Sequence, residues 1–301
     1  MWFKNIRVYT LEQAFEYTEE KLESLLKGNK FSPCSGQDME KIGWVNVLSE
    51  DSDALVHKIG NDYFFRCRFE KKMLPTSVIN EELQEKVEAL ELAQCRTIKK
   101  KEKSDLKEQI ITNLLPRAFA IHKEHWIWIN SKYRYVIVSA TSDRIADTLT
   151  SLLRKSLGTL PCKPFVFKND IPEVLTEWLS TGKTPVGIEI GDETELQDID
   201  GEGASIKAKK QDLSSEEIKV HLDAGKVCTS LSLIIHDDIS FLLDSKFNLK
   251  KIKLSDTLVD ENTSISNDPA ARLDADLALM AGEYCKIIPV LIDAFGGEAD
   301  E

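Results

Sequence analysis

Residues 227–244 read VCTSLSLIIHDDISFLLD, two apolar runs separated by three polar residues. The runs 227–235 and 239–244 have the length and the β-branched and aromatic content of strands. The intervening His236-Asp237-Asp238 is typical of a short turn. The stretch therefore predicts a hairpin, which is an antiparallel pair of strands.

Other segments extend this pattern in both directions along the chain. Strands are predicted at 62–70 (DYFFRCRFE), 125–130 (HWIWIN), 186–190, 204–208 and 248–254. Helices are predicted at 78–96, 172–179 and 271–295. Strands and helices do not alternate as they would in a parallel sheet. We predict an α+β fold with mixed, mainly antiparallel sheets and packed helices.

Two strand–helix units follow a similar order 128 residues apart. The first is a strand at 5–10 followed by a helix at 11–27, and the second is a strand at 133–140 followed by a helix at 142–156. Pro33 and Pro161 occupy matching places after them. We interpret the units as an internal pseudo-repeat; their identity is low, so chance similarity is the open alternative.

The chain has 301 residues, a formal charge of -12 and 42% hydrophobic residues, enough for one large domain or several smaller ones. We predict a central α+β region at 1–75 and 120–170, a helical basic arm at 76–119, and a C-terminal α+β region at 171–301. The six cysteines are isolated, which favours reduced thiols. No apolar run is long enough to span a bilayer, and the first ten residues lack signal-peptide organisation. We expect a cytoplasmic protein.

The stretch 96–117 (RTIKKKEKSDLKEQIITNLLPR) is basic within this acidic chain. Its seven cations face three acids, and those we expect at a binding surface are Arg96, Lys99, Lys100, Lys101, Lys103 and Arg117. Acids concentrate elsewhere, at 189–202, predicted as a loop, and at 255–301. A dense positive block predicts an anionic partner, either a nucleic acid or an acidic protein.

A second basic segment surrounds Lys207, Lys209 and Lys210. Alternation along a strand places Lys207 and Lys209 on one face, with Lys210 at the following turn. Such lysines protect an edge strand from pairing, or they contact phosphates with Gln211 as an uncharged donor. Phe119 has two interpretations as well, a core residue or the aromatic anchor of a subunit interface.

Catalytic motifs are weak in this sequence. Gly182-Lys183-Thr184 lacks the earlier glycine of a phosphate-binding loop, so a turn explains it better. A metal-dependent nuclease would use Asp274, Asp276 or the run 236–238. In a helix, however, Asp274 and Asp276 point about 200° apart. We expect neither catalysis nor a metal or cofactor, and keep the nuclease as the alternative.

Longer motifs carry a resemblance to a known family. They are WFKN (2–5), FSPCSGQDMEKIGWV (31–45), SDALVH (52–57), LLPRAF (114–119), LLRKSLGTLP (152–161), LTEW (175–178), KAKKQDLSSEEI (207–218), AGKV (224–227), LDADLALMAGE (273–283) and GGEA (296–299). In this order, and from end to end, the chain resembles the bacterial family of recombination-associated protein RdgC.

The resemblance implies a homodimer closed into a ring around duplex DNA. Such a protein binds DNA without sequence preference, with single strands as a further ligand, and restrains recombinase filaments of the RecA type in the nucleoid. By position, Phe119 resembles the aromatic residue of a ring-closing interface, and its neighbour Leu115 is assigned to the same contact. Lys210 and Gln211 resemble a finger that touches DNA, and the cations of 96–117 fall near the hole.

Overall fold

The computed structural model describes residues 2–49, 53–199, 203–255 and 268–299. Its helices are α1 (Glu19–Leu26), α2 (Thr76–Gln94), α3 (Lys100–Leu114), α4 (Asp143–Leu157), α5 (Ile171–Thr181), α6 (Glu216–Asp223) and α7 (Pro269–Ala294). The strands are β1 (Ile6–Leu11), β2 (Glu40–Val45), β3 (Val56–Ile59), β4 (Asp62–Lys72), β5 (Ala120–Asn130), β6 (Tyr135–Val138), β7 (Cys162–Pro164), β8 (Ile188–Asp198), β9 (Ser205–Lys209), β10 (Lys226–Ile235), β11 (Ile239–Asp244) and β12 (Asn248–Leu254).

The strands form one twelve-stranded sheet in which every pair of named strands is antiparallel. Its order is β2-β4-β5-β6-β1-β12-β11-β10-β8-β9, with β3 beside β4 and β7 beside β1. The α+β fold with mainly antiparallel strands is confirmed. The predicted hairpin is also confirmed, because β10 and β11 pair from Ile235↔Ile239 to Ser230↔Asp244.

Two apolar cores lie on opposite faces of this sheet. The first core packs α5, α6 and α7 against β8–β12 and against Trp126 and Trp128 of β5. The second packs α1 and α4 against the other face of β1–β6. The alternation of strand residues makes this possible, since neighbouring positions of β4 such as Phe64 and Phe65 enter different cores.

The first strand–helix unit differs from its prediction. Leu11 belongs to β1, where it pairs with Cys162, and the helix begins only at Glu19 after Thr18. The Thr18 hydroxyl accepts a hydrogen bond from the backbone N–H of Lys21 (3.3 Å), which satisfies a free donor of the first turn. The predicted helix at 11–27 is therefore wrong over its first half. The pseudo-repeat stays a prediction, although β1 and β6 pair and α1 and α4 share one core.

The acidic segment 189–202 was also predicted incorrectly, because β8 extends through it to Asp198. Thr194 and Leu196 are buried, while Glu193 and Glu195 lie opposite Lys209 and Lys207 of β9. Cross-strand pairs of opposite charge offset the repulsion among the acids, so the segment forms a strand. Residues 200–202 of this acidic run lie outside the described residues.

Candidate nucleic-acid interface

The basic stretch forms the second arm of a helical hairpin, α2–α3, inserted between β4 and β5. Ile79 and Val87 of α2 are buried, as are Ile98 and Ile110 on the returning side. Cys95 takes the left-handed conformation (φ 49°) and ends α2. The basic arm predicted at 76–119 is therefore two helices, and most of the basic block lies in the second.

Two carboxylates fix the tip of the hairpin. An oxygen of Glu91 accepts the backbone N–H of Ile98 at 2.8 Å. Glu102 accepts a hydrogen bond from the backbone N–H of Lys99 at 3.0 Å. It also accepts from the two terminal nitrogens of the Arg96 guanidinium, Nη2 at 2.6 Å and Nη1 at 2.9 Å. The Arg96 guanidinium lowers the pKa of Glu102 to about 2. Arg96 is thus partly neutralised and stabilises the tip.

The lysines of the tip have a different environment. Lys99, Lys100, Lys101 and Lys103 are exposed, and none forms an ion pair with a carboxylate in the described part of the chain. Lys99 is the N-cap residue of α3 and the other three follow within its first four positions, where the helix dipole adds positive potential. Arg117 is exposed at the other end of the hairpin. The tip therefore presents four exposed ammonium groups at the start of α3, none within ion-pair distance of a carboxylate among the described residues.

A buried ammonium joins the base of the hairpin to the sheet. Lys72, at the end of β4, is 7% exposed, and its Nζ donates to the carbonyl oxygens of Ser35 (2.7 Å) and Leu115 (2.9 Å). Leu115 itself is buried within the protomer. Its side chain therefore supports this corner from inside and is not a surface contact.

Phe119 lies next to this corner and is 86% exposed. Its carbonyl accepts the backbone N–H of Met73 at 2.7 Å, so its backbone is fixed while its ring faces solvent. Met73 and Ile121 are also exposed beside it. The core interpretation of Phe119 is wrong, and the residue is available to a partner.

The second basic segment is β9 and the turn after it, at the opposite end of the sheet order. Lys207 and Lys209 share one face, as predicted, but each pairs with an acid of β8: Lys207 with Glu195 at 3.1 Å and Lys209 with Glu193 at 3.8 Å. Lys210 is exposed at φ 52°. The Gln211 amide donates to Glu217 at 2.6 Å. Only Lys210 of these lysines has no carboxylate partner among the described residues.

The two basic elements do not form one patch in a protomer. The hairpin projects between the second and third strands of the sheet order, whereas β9 is its last strand. Sequence reasoning also missed the lysines of β12, of which Lys251 and Lys253 line the same groove as Lys210 of the β9 turn. The run NLKKIKL was the signal, a strand with three lysines.

The candidate catalytic residues are in separate places. His57 Nε2 and Asp274 Oδ1 lie 2.5 Å apart, which joins β3 to α7. His236 and Asp237 occupy the β10–β11 turn with positive φ. Gly182 ends α5 in a left-handed conformation, which confirms the turn. Within the described ranges, no three His, Cys, Asp or Glu side chains are grouped as a metal site would require.

Fold and surface together define an α+β protein of one antiparallel sheet that carries two separated basic elements. The sequence profile of the family described as "Putative exonuclease, RdgC" matches residues 1–298. The chain is 43% identical over 302 residues to the recombination-associated protein RdgC of Tolumonas auensis, with 100% of both chains covered. Proteins of the same name from Psychromonas ingrahamii and Aeromonas hydrophila subsp. hydrophila are 44% identical over 299 residues, covering 99% of each chain. The chain belongs to the RdgC family, as its motifs predicted.

Two further features concern the helices and the cysteine residues. Among the helices of the described residues, none combines the length and apolar character that crossing a bilayer requires. All six cysteines are free thiols. Burial raises the pKa of Cys285 to about 12 and that of Cys228 to about 11, so these two thiols are protonated at neutral pH.

Proposed function

We propose that this protein binds duplex DNA without sequence preference, as a non-enzymatic homodimer closed into a ring. The observation that carries the proposal is the tip of α3, where four exposed lysines lack carboxylate partners in the described part of the chain. Membership of a family whose named relatives are recombination-associated proteins points to DNA as the anion. Single-stranded DNA is a further ligand of the same surface.

Lysine contacts with phosphates explain binding that ignores sequence. Phosphates are the same at every base pair, so such contacts supply affinity and no base readout. If about six phosphates are neutralised per complex, log affinity falls with log salt at a slope near -5, from about 0.9 per contact.

Exposed apolar side chains at the hairpin base support a ring. A ring of two identical subunits needs two isologous contacts, each on the twofold axis. Phe119, exposed beside Met73 and Ile121, has the character of an interface anchor. The second contact would come from the opposite end of the sheet, so that two protomers meet at both ends and form a closed ring.

Enclosure of DNA gives the protein a role without chemistry. A ring around a duplex blocks growth of a RecA-type filament by occupying the path of the filament. The protein would then act where the chromosome is, in the cytoplasm and on the nucleoid. Its effect would depend on residence time on DNA rather than on turnover.

A charge-reversal experiment tests the DNA surface. We expect Lys99→Glu, Lys100→Glu and Lys101→Glu together to weaken binding to random duplexes of different sequence by the same factor and to flatten the salt dependence. The matched control reverses three exposed lysines over the second core, Lys21, Lys27 and Lys155. Equal losses in both triple variants, or a loss limited to one DNA sequence, would overturn the proposal.

The family description also contains the word exonuclease, so cleavage is tested directly. Linear duplex is incubated with the protein and Mg²⁺, and the proposal predicts intact DNA. Degradation that disappears in Asp274→Asn would establish a nuclease instead. Asp274 is an informative position because its carboxylate pairs with the His57 imidazole.

A further inference from the structure

A groove of about 820 Å³ crosses the face of β8–β12 that points away from α7. Its floor consists of Ser232 and Ile234 of β10 and Ser240 and Leu242 of β11, which alternate with residues of the first core. The β9 turn with Lys210 forms one wall, and β12 with Lys251 and Lys253 forms the other. The groove is therefore an open channel between two lysine-bearing edges. Asp192, Glu193 and Asp212 line it as well, so its three lysines and three acids balance in charge.

An ion pair crosses this channel. Lys251 Nζ lies 2.6 and 2.7 Å from the two carboxylate oxygens of Glu193. Because β11 and β10 separate β12 from β8 in the sheet, this pair bridges the groove above its floor. Glu193 also lies 3.8 Å from Lys209 of β9. One carboxylate thus holds two lysines that would otherwise face solvent.

Backbone geometry aims lysines into the groove. Lys210 (φ 52°) and Lys251 (φ 54°) both adopt the left-handed conformation, which non-glycine residues rarely take. The register between β11 and β12 shifts between Ser240 and Leu242, which marks a bulge beside Lys251. Such conformations are unfavourable and cluster at functional sites, where they re-aim a side chain.

We propose that the groove binds the sugar-phosphate backbone of nucleic acid and that Glu193 competes with phosphate for Lys251. This inference rests on the proposed function and adds a second binding surface, distant from the α3 tip. The Lys251 side chain is 50% exposed and that of Glu193 is 20% exposed, so solvent screens the lysine end of the pair and a phosphate can reach the ammonium. Glu193 then limits affinity and keeps the DNA-free groove neutral.

The decisive variant is Glu193→Gln, which preserves shape and removes the competing charge. Glu12→Gln is the matched control, because Glu12 also pairs with a lysine, Lys163, but lies outside the groove. Binding of a random-sequence duplex is measured across a salt series. We expect Glu193→Gln to raise affinity about two- to five-fold above the control and to steepen the salt slope by about 0.9 for the lysine released.

The double variant Glu193→Gln, Lys251→Met separates competition from a general charge effect, and thermal melting confirms that each variant is folded. Competition for Lys251 requires that Glu193→Gln raise affinity less in the Lys251→Met background than in the wild type, because only the more distant Lys209 is then released. A gain equal to that of Glu12→Gln, or one that Lys251→Met leaves undiminished, would overturn the inference while wild-type binding stands. If the wild type binds no duplex at any salt concentration, the proposed function itself fails.

Discussion

Lys72 illustrates how a single buried cation organises a corner of this molecule. Its ammonium replaces water with carbonyl oxygens from two separate segments, at Ser35 and at Leu115. Hydrogen bonds from a charged donor contribute more than neutral ones, and their loss leaves buried acceptors unpaired. The contact joins the hairpin base to the sheet beside Phe119.

We predict that Lys72→Met destabilises the protein by about 2–3 kcal/mol, the cost of unpaired acceptors and of a lost charged donor. The control is Lys71→Met, since Lys71 is the next residue on the same strand and is exposed. Urea unfolding of both variants measures the difference. Equal free energies of unfolding would show that the carbonyl cage is not stabilising.

Glu124 makes stability depend on pH. Burial raises its pKa, but hydrogen bonds from Arg66 and Arg68 outweigh burial, so the pKa lies below its ordinary value of 4.5. The folded state therefore binds this proton less readily than the unfolded state. The stabilisation is present above about pH 4.5 and is lost as pH falls through the lowered pKa.

For Glu124→Gln we predict a shallower loss of stability between pH 7 and acid pH than in the wild type. Urea midpoints measured at several pH values test this, with the exposed Glu81→Gln as the control. Parallel curves for wild type and Glu124→Gln would contradict the assigned role.

At the level of residues, composition indicates exposure better than it indicates pairing. The lysines at 99–103 are exposed, as their density in a polar helix start indicates, and their contact with DNA stays a prediction. The ion pairs of Lys207 and Lys209 with acids of β8 could not be predicted in the same way. They depend on the register between β8 and β9, which the fold sets. Burial of Leu115 beside an exposed Phe119 likewise depends on how the hairpin meets the sheet.

At the level of elements, periodicity identified most helices and strands, and its failures have physical causes. Phe15 stands at helical spacing from Leu22 and Leu26, yet it enters the second core from an irregular segment before α1. The N-cap residue Thr18 marks the start of α1 better than the spacing of apolar residues does. In β8, the acidic run was predicted as a loop, but lysines of β9 lie opposite two of its acids and the run forms a strand.

The backbone of β2 at Gly43 passes very close to the backbone of Phe31. A Cβ at Gly43 of β2 would lie 2.5 Å from Cα of Phe31 and 2.6 Å from its backbone nitrogen. Backbone cannot move aside as a flexible side chain can, and Phe31 donates a hydrogen bond to the Trp44 carbonyl at this crossing.

We therefore expect Gly43→Ala to destabilise the protein by about 1–3 kcal/mol, typical of overpacking. Gly28→Ala is the control, because a Cβ at Gly28 meets no atom within 4 Å. Thermal unfolding compares the two variants. A Gly43→Ala protein as stable as the control would show that the strand and the 31–33 segment separate freely.

At the scale of the whole molecule, one sheet carries basic elements near both of its ends. A protomer does not bring the hairpin and the β9 turn into one patch. The ring that we propose would need a second protomer to bring both toward the same DNA. The sequence predicted the antiparallel class and, by resemblance, the family. The single continuous sheet was not predictable, because β1 at the start of the chain pairs with β12 near its end.

Phe119 should connect assembly to function. We predict that Phe119→Ala leaves the stability of the protomer unchanged, because the side chain is 86% exposed, and weakens the dimer. Sedimentation equilibrium measures the association, with Val186→Ala as an exposed apolar control. A dimer as tight as the wild type would remove Phe119 from the interface.

Retention on DNA of different topology tests the central claim most directly. The protein is bound to the same plasmid in nicked circular and linear form, and each complex is washed with increasing salt. Enclosure predicts that the circular complex survives salt that releases the linear one, because a ring slides off free ends, and that Phe119→Ala abolishes this difference. Release of both forms at the same salt concentration would contradict a closed ring around DNA.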